Sequence, residues 1–287
     1  MIPGAFEYHR PQKVDDAIAL LVKHGEDARV VAGGHSLIPM MKLRLAVPAH
    51  LVDLQDIAEL RAIRSDGGTL VVGALATQRE VIGSEPLASK CPILRETALQ
   101  IADPQVRYVG TIGGNVANGD PANDMPAVMM ALGASYRIRG GRGERDIPAR
   151  DFYRGSLVTA LEAGDILTSI RIPTPPQGHG YAYEKQKRKT GDYATAAAAV
   201  ILTFSRDACS SAAVALTNVA PTPLFATAAG EALVGTRLDE AAVAEAVRRA
   251  RAIVEPAADQ RGPVDFRVHV AGVMVRRAIQ RAKARAS

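Results

Sequence analysis

The chain has no tryptophan, only two cysteines and 4% aromatic residues in 287 positions. Cys91 and Cys209 alone cannot build a disulfide framework, an iron–sulfur site or a zinc–cysteine site. The six histidines, at 9, 24, 35, 50, 179 and 269, show no metal-ligand spacing, so no metal site is expected. No nucleophile–base pair stands out, and no catalytic residue is assigned. Long apolar runs are missing too. The longest, near Ala196 to Phe204, is far too short to cross a bilayer. Met1 to Arg10 lacks the basic and apolar regions of a signal peptide. A cytoplasmic protein without a transmembrane segment is expected. The G-x-G-x-x-G fingerprint of dinucleotide-binding folds is absent as well. Asp53 lies about twenty residues beyond Gly33, where that fingerprint places its ribose-binding acid. Without the glycine spacing, Asp53 reads instead as the end of a strand and the cap of the next turn. The formal charge of +5 invites a nucleic-acid partner, but aromatics are scarce and acids are mixed among the bases. A protein–protein face explains the surplus more simply.

What is present is a globular composition, 47% apolar and 23% charged, long enough for two domains with their own cores. The central feature is the run Gly110 to Asp124, with four glycines, three asparagines, two aspartates and a proline. Glycine loses most entropy on ordering, and Asn and Asp compete with backbone ladders, so a long polar loop is expected. Successive glycine N–H groups can form an anion-binding concavity, and Thr111 and Asn115 can add side-chain hydrogen bonds. A second run, Gly33-Gly34-His35-Ser36, follows the apolar segment Arg29 to Ala32. Small residues after a strand allow backbone to approach a ligand closely. Either loop alone reads equally as a tight turn. Together they suggest a dinucleotide diphosphate gripped from two sides.

Along the chain, Pro11 to His24 predicts a helix with a stripe of Val14, Ala17, Ile18, Leu21 and Val22, closed by Gly25. Met40 and Met41 read as core. Leu51 to Leu54 is a strand, and Ser65-Asp66-Gly67-Gly68 is a hairpin turn. Thr77 and Glu80 form a capping box. Cys91 to Ile101 is helical with Cys91 in the core, and Asp103-Pro104 breaks that helix. Met125 to Leu132 is helical; Ser135 to Arg139 and Asp165 to Pro173 are strands. Pro173 to Gly178 is a linker. The expected domains are 1–177, in lobes of about 1–56 and 57–177, and 178–287. In the latter, Ala194 to Phe204 reads as a strand, although Ala196 to Ala199 would suit a helix. Gly180 to Lys185 reads as a strand, and Gln186 to Tyr193, the densest charge in the chain counting Lys185, reads as a solvated loop. The cations of the final helix, Phe266 to Arg285, suit either its C-terminus or a docking face.

Ala32 to Leu37 followed by Thr111 to Asn115 resembles the FAD-binding medium subunit of the molybdenum hydroxylases, most nearly in the aerobic carbon monoxide dehydrogenases. Ile38 to Lys42, Asn115 to Pro126, Gly178 to Ala198, Leu216 to Ala220 and Pro256 onward extend the resemblance over essentially the whole chain. It implies an α+β fold: a two-lobed FAD-binding domain of the PCMH, vanillyl-alcohol-oxidase-like type, then a smaller α+β domain. It implies that Ala32, Gly33, Gly34, His35 and Ser36, with Thr111, Ile112, Gly113, Gly114 and Asn115, hold FAD. Ile101, Asp124, Leu167 and Lys185 would be further FAD contacts, and Tyr193 would control access to the flavin ring. The implied partners are a molybdenum-containing large subunit and an iron–sulfur small subunit, assembled as a dimer of heterotrimers. The molybdopterin cofactor and two-iron clusters belong to those partners. Electrons would leave for a quinone-linked acceptor, which allows association with the inner face of the cytoplasmic membrane. The same subunit could serve a hydroxylase of purines, N-heterocycles or aldehydes. A stand-alone flavin oxidase and a non-enzymatic basic interaction protein are the remaining alternatives.

Overall fold

The computed structural model describes residues 2–287. Its first lobe is a small parallel sheet in which His50–Asp53 lies between Glu7–His9 and Ala28–Val31. Parallel neighbours require crossovers, and helix Val14–His24 supplies one. Its Val14, Ala17 and Leu21 pack on Ala28, Val52 and Leu54. Leu51 points to the other face and meets Val31 and Met41, as the two-residue period of a strand demands. Val22, expected in the helix stripe, lies outside it and is 61% exposed. Asp53 ends its strand as expected: its Oδ1 accepts from the Gln55 N–H at 2.9 Å, and the Tyr8 hydroxyl donates to its Oδ2.

The second lobe is a five-stranded antiparallel sheet, in the order Ile63–Asp66, Thr69–Gly73, Ile166–Pro173, Ser135–Gly140, Gly143–Pro148. The chain between Gly73 and Ser135 is helical for most of its length. The capping box is present at Gln78–Gly83, where Thr77 and Glu80 satisfy each other's backbone N–H groups. Cys91 is buried in the core beside helix Ile93–Gln100.

Two expectations here are corrected. Asp103-Pro104 starts a helix, Pro104–Val109, as well as ending one. The Asp103 carboxylate accepts the Val106 N–H at 3.0 Å, and Pro104 occupies the first position, where a missing N–H costs nothing. The central glycine run is not one long loop either, since Ile112–Ala117 is a helical turn and a half. Thr111 caps it by accepting from Gly114 N at 3.0 Å. The Ile112 and Gly113 N–H groups donate to the carbonyls of Ala76 and Ala74. Any side chain at Gly113 would place its Cβ 2.5 Å from the Ala74 carbonyl oxygen. This glycine therefore lets a helix lie directly on backbone.

The third sheet is antiparallel: Gly180–Gln186, Ala196–Ser205, Ala208–Thr217, Leu224–Phe225. Its second strand separates two cores. Ala196, Ala198, Val200 and Leu202 join the core of helices Glu240–Arg251 and Val264–Arg285. Ala197 and Ala199 join the core that contains Leu94, Met129 and Tyr183. Burial on both faces overrides the helical preference of an alanine run. The cations of the last helix are largely engaged within the chain. Arg276 pairs with Glu240, Arg281 with Glu184, and Arg285 with Glu96, while Lys283 donates to the Arg237 carbonyl.

Candidate functional site

A cleft of about 870 Å³ runs between the first two lobes and reaches the third sheet. That lies within the usual size of cofactor sites. Of the fifteen residues expected at the site, all but Ile112 line this cleft. Ile112 is fully buried in the core, and its N–H is taken by Ala76. It supports the wall without facing the ligand space.

The two glycine loops differ in what they offer. Strand Ala28–Val31 delivers the chain to Gly33, whose added Cβ would come 2.5 Å from the Val109 carbonyl oxygen. Absence of a side chain thus lets the first loop touch the approach to the second. Gly34 has φ +72°, in the left-handed region that glycine enters freely. Among the described residues, no partner accepts from the main-chain N–H groups of Gly33, Gly34, His35 and Ser36. Four consecutive free donors around a left-handed residue form a nest that suits an anion. In the second loop the corresponding donors are used internally, by the Ala74, Ala76 and Thr111 oxygens. The expected grip by N–H groups from both sides is therefore corrected. The first loop holds the free donors, and helix Ile112–Ala117 forms the opposite wall. Asn115 braces that wall, with its Oδ1 accepting from Met125 N at 3.2 Å and its carbonyl accepting from the Asn123 amide at 2.8 Å.

Deeper in the cleft, Lys185 and Asp124 form an ion pair at 2.9 Å, their side chains 1% and 5% exposed. Lys185 also donates to the Gln100 carbonyl, and the Tyr183 hydroxyl donates to Asp124 Oδ1 at 2.5 Å. Burial pushes the Asp124 carboxyl up, and Lys185 and Tyr183 oppose that rise. Burial and the nearby Asp124 hold Tyr183 well above the ordinary phenol value, so it stays a neutral donor. Lys185 lies in strand Gly180–Gln186, as the expected strand Gly180 to Lys185 has it, and its side chain faces inward. Ile101 and Leu167, both nearly fully buried, supply apolar wall. Tyr193 sits half exposed at the edge, and burial, then Asp120 and Asp124, raise its phenol.

The cleft also has lining that sequence reasoning did not assign. Asn118 and Asn123 belong to the polar run already singled out. Gln78 is 2% exposed, with its Oε1 buried and unpartnered among the described residues. Its place one residue after a capping threonine reads as helix surface, and only the packing turns it inward. Leu161 and Gly164 come from the turn before Ile166–Pro173 and carry no motif.

Free backbone donors, an apolar wall and a buried ion pair in a cleft between two α+β lobes define a protein built to hold a large cofactor with an anionic centre. Residues 4–175 match the FAD binding domain in molybdopterin dehydrogenase, and residues 181–282 match the CO dehydrogenase flavoprotein C-terminal domain. The chain belongs to this family. The carbon monoxide dehydrogenase medium chain of Afipia carboxidovorans is 63% identical over 286 residues, covering 100% of this chain and 99% of that one. The carbon monoxide dehydrogenase medium chain of Hydrogenophaga pseudoflava is 48% identical, over 99% of both. A chain in the crystal structure of cyanide-inactivated Cu,Mo-CO dehydrogenase superposes with a TM-score of 0.99 at 62% identity, over all of both chains. The family resemblance carried by the two glycine loops therefore holds over the full length.

Proposed function

We propose that the chain is the FAD-binding medium subunit of a molybdenum-containing carbon monoxide dehydrogenase. The observation that carries the site is the nest of free N–H groups at Gly33 to Ser36, which faces helix Ile112–Ala117 across the cleft. These donors would hold the FAD diphosphate. Thr111, Gly113, Gly114 and Asn115 would form its second wall, and Lys185, fixed by Asp124, would present a set charge to the cofactor. Ile101 and Leu167 would exclude water, and Tyr193 would screen the opening.

Bound FAD supplies two-electron chemistry between one-electron iron–sulfur clusters and an external acceptor. The chain's own part is to bind, orient and shield it. Carbon monoxide oxidation would belong to a molybdenum-containing large subunit, and cluster relay to an iron–sulfur small subunit. The assembly would be a dimer of heterotrimers that passes electrons to a quinone-linked acceptor from the cytoplasmic side. Among the described residues, no helix is long and apolar enough to cross a membrane. The 63% identity to a carbon monoxide dehydrogenase chain favours this substrate over a purine, N-heterocycle or aldehyde.

The test is the visible spectrum of the purified chain, alone and co-expressed with its partner subunits. An oxidised-flavin spectrum, with the flavin released as FAD, is expected in at least the assembled complex. A colourless preparation in both cases would overturn the reading.

A further inference from the structure

We infer that His9, His24 and His50, with Glu7, form a binding site for one first-row divalent cation of the zinc type. No linear spacing announces this site, because its ligands come from three elements. Glu7 and His9 lie two residues apart on the edge strand, hence on one face. His50 is the register partner of Glu7 on the central strand. Helix Val14–His24 covers that same face, and His24 is its last residue. Fold topology thus gathers three imidazoles and a carboxylate at one end of the parallel sheet.

The distances suit a shared ion. One nitrogen from each histidine lies within 4.8 Å of the other two. Zinc bonds of about 2.0–2.1 Å to nitrogen set tetrahedral ligand atoms about 3.3 Å apart. His9 Nε2 and His50 Nδ1 are 3.1 Å apart, and Glu7 Oε2 is 3.4 Å from His50 Nδ1 and 3.8 Å from His9 Nε2. The third ring, His24, stacks on His50 at 3.7 Å between centroids and 29° between planes. Its Nε2 is buried with no partner among the described residues. Tipping this ring out of the stack turns that nitrogen to the other two and gives it the partner it lacks. Three imidazoles and one carboxylate are a zinc-type donor set, whereas calcium and magnesium need mainly oxygen. A cation here would clasp the edge strand, the central strand and the helix end together. Gly25 and Glu26, directly after His24, line the cleft, so the clasp would sit behind its wall.

The experiment uses the full-length, tag-free, FAD-loaded chain. After dialysis against a chelator, zinc is titrated in competition with a chromophoric chelator, and metal content is measured by mass spectrometry. One zinc per chain is expected. His50→Ala and His24→Ala should each weaken binding more than about 100-fold, beyond the roughly 10–100-fold cost of losing an outer partner. Their flavin spectra should match the parent, which shows that the lobe still folds. X-ray absorption at the zinc edge of the unsubstituted chain should show imidazole scattering from two or three rings. Zinc binding that survives both substitutions, no bound zinc, or a shell without imidazole would each overturn the proposal.

Discussion

Replacing Lys185 with Met tests the buried ion pair behind the cleft. The substitution keeps most of the side-chain volume and removes the charge from a position that is 1% exposed. Asp124 is left buried with only the Tyr183 hydroxyl as a polar side-chain partner. Removing one member of such a pair costs about 3–5 kcal/mol. A second route to the magnitude is protonation of Asp124. From an unfolded value of about 3.9, protonation at pH 7 costs roughly 4 kcal/mol, at 1.36 kcal/mol per pH unit. At pH 5 the same step costs only about 1.5 kcal/mol. Burial already holds the Asp124 carboxyl above its ordinary value, and in the variant, without Lys185 to oppose it, the folded-state pKa rises further. Its stability is then greatest at low pH and is lost as pH rises. The expected loss relative to the parent is about 3–4 kcal/mol at pH 7 and roughly 1–2 kcal/mol at pH 5. Urea unfolding followed by circular dichroism, on flavin-stripped chains so that FAD binding does not enter, measures both. Adding Asp124→Asn, which keeps an acceptor for Tyr183, should recover most of the loss at pH 7. A loss under about 1 kcal/mol at pH 7, or one that does not shrink at pH 5, would refute the reasoning.

Two further outcomes follow from close packing and burial. Gly33→Ala puts a Cβ against the Val109 carbonyl and Gly110 Cα, at 2.5 and 2.8 Å, and should part the two loops. FAD affinity should fall at least about tenfold with a stability loss of about 1–3 kcal/mol, while Gly141→Ala, with open space around it, should change neither; flavin titration and unfolding curves decide. Burial pushes the Cys91 thiol up to about 12 and raises that of Cys209, and both residues are buried. A chromogenic thiol reagent should therefore find no reactive thiol in the native chain and two after unfolding.

Local grammar was legible from the residues. The capping box at Thr77 and Glu80, the hairpin at Gly67-Gly68, the turn capped by Asp53 and the basic outline of the strands all depend on neighbours in sequence. The glycine loops were legible for the same reason: positive φ and close approach demand residues without side chains wherever they occur. The glycine-loop positions meet in one cleft with the further contacts that the family resemblance implied, and Ile112 alone of the fifteen turns into the core.

Tertiary structure alone decided which of those positions keep free donors. The N–H groups of Ile112 and Gly113 have partners because Ala76 and Ala74, from another element, lie against them. Those of Gly33 to Ser36 have no acceptor among the described residues, although Val109 and Gly110 lie against Gly33. Lys185 is buried where the third sheet meets Asp124 of the second lobe, and Gln78 where its helix packs against the Thr111 backbone. The three histidines, at 9, 24 and 50, meet only because a parallel sheet and its crossover helix end at the same edge. Spacing along a chain records neighbours within an element. Convergence of side chains from separate elements is set by topology and burial, which no local pattern encodes.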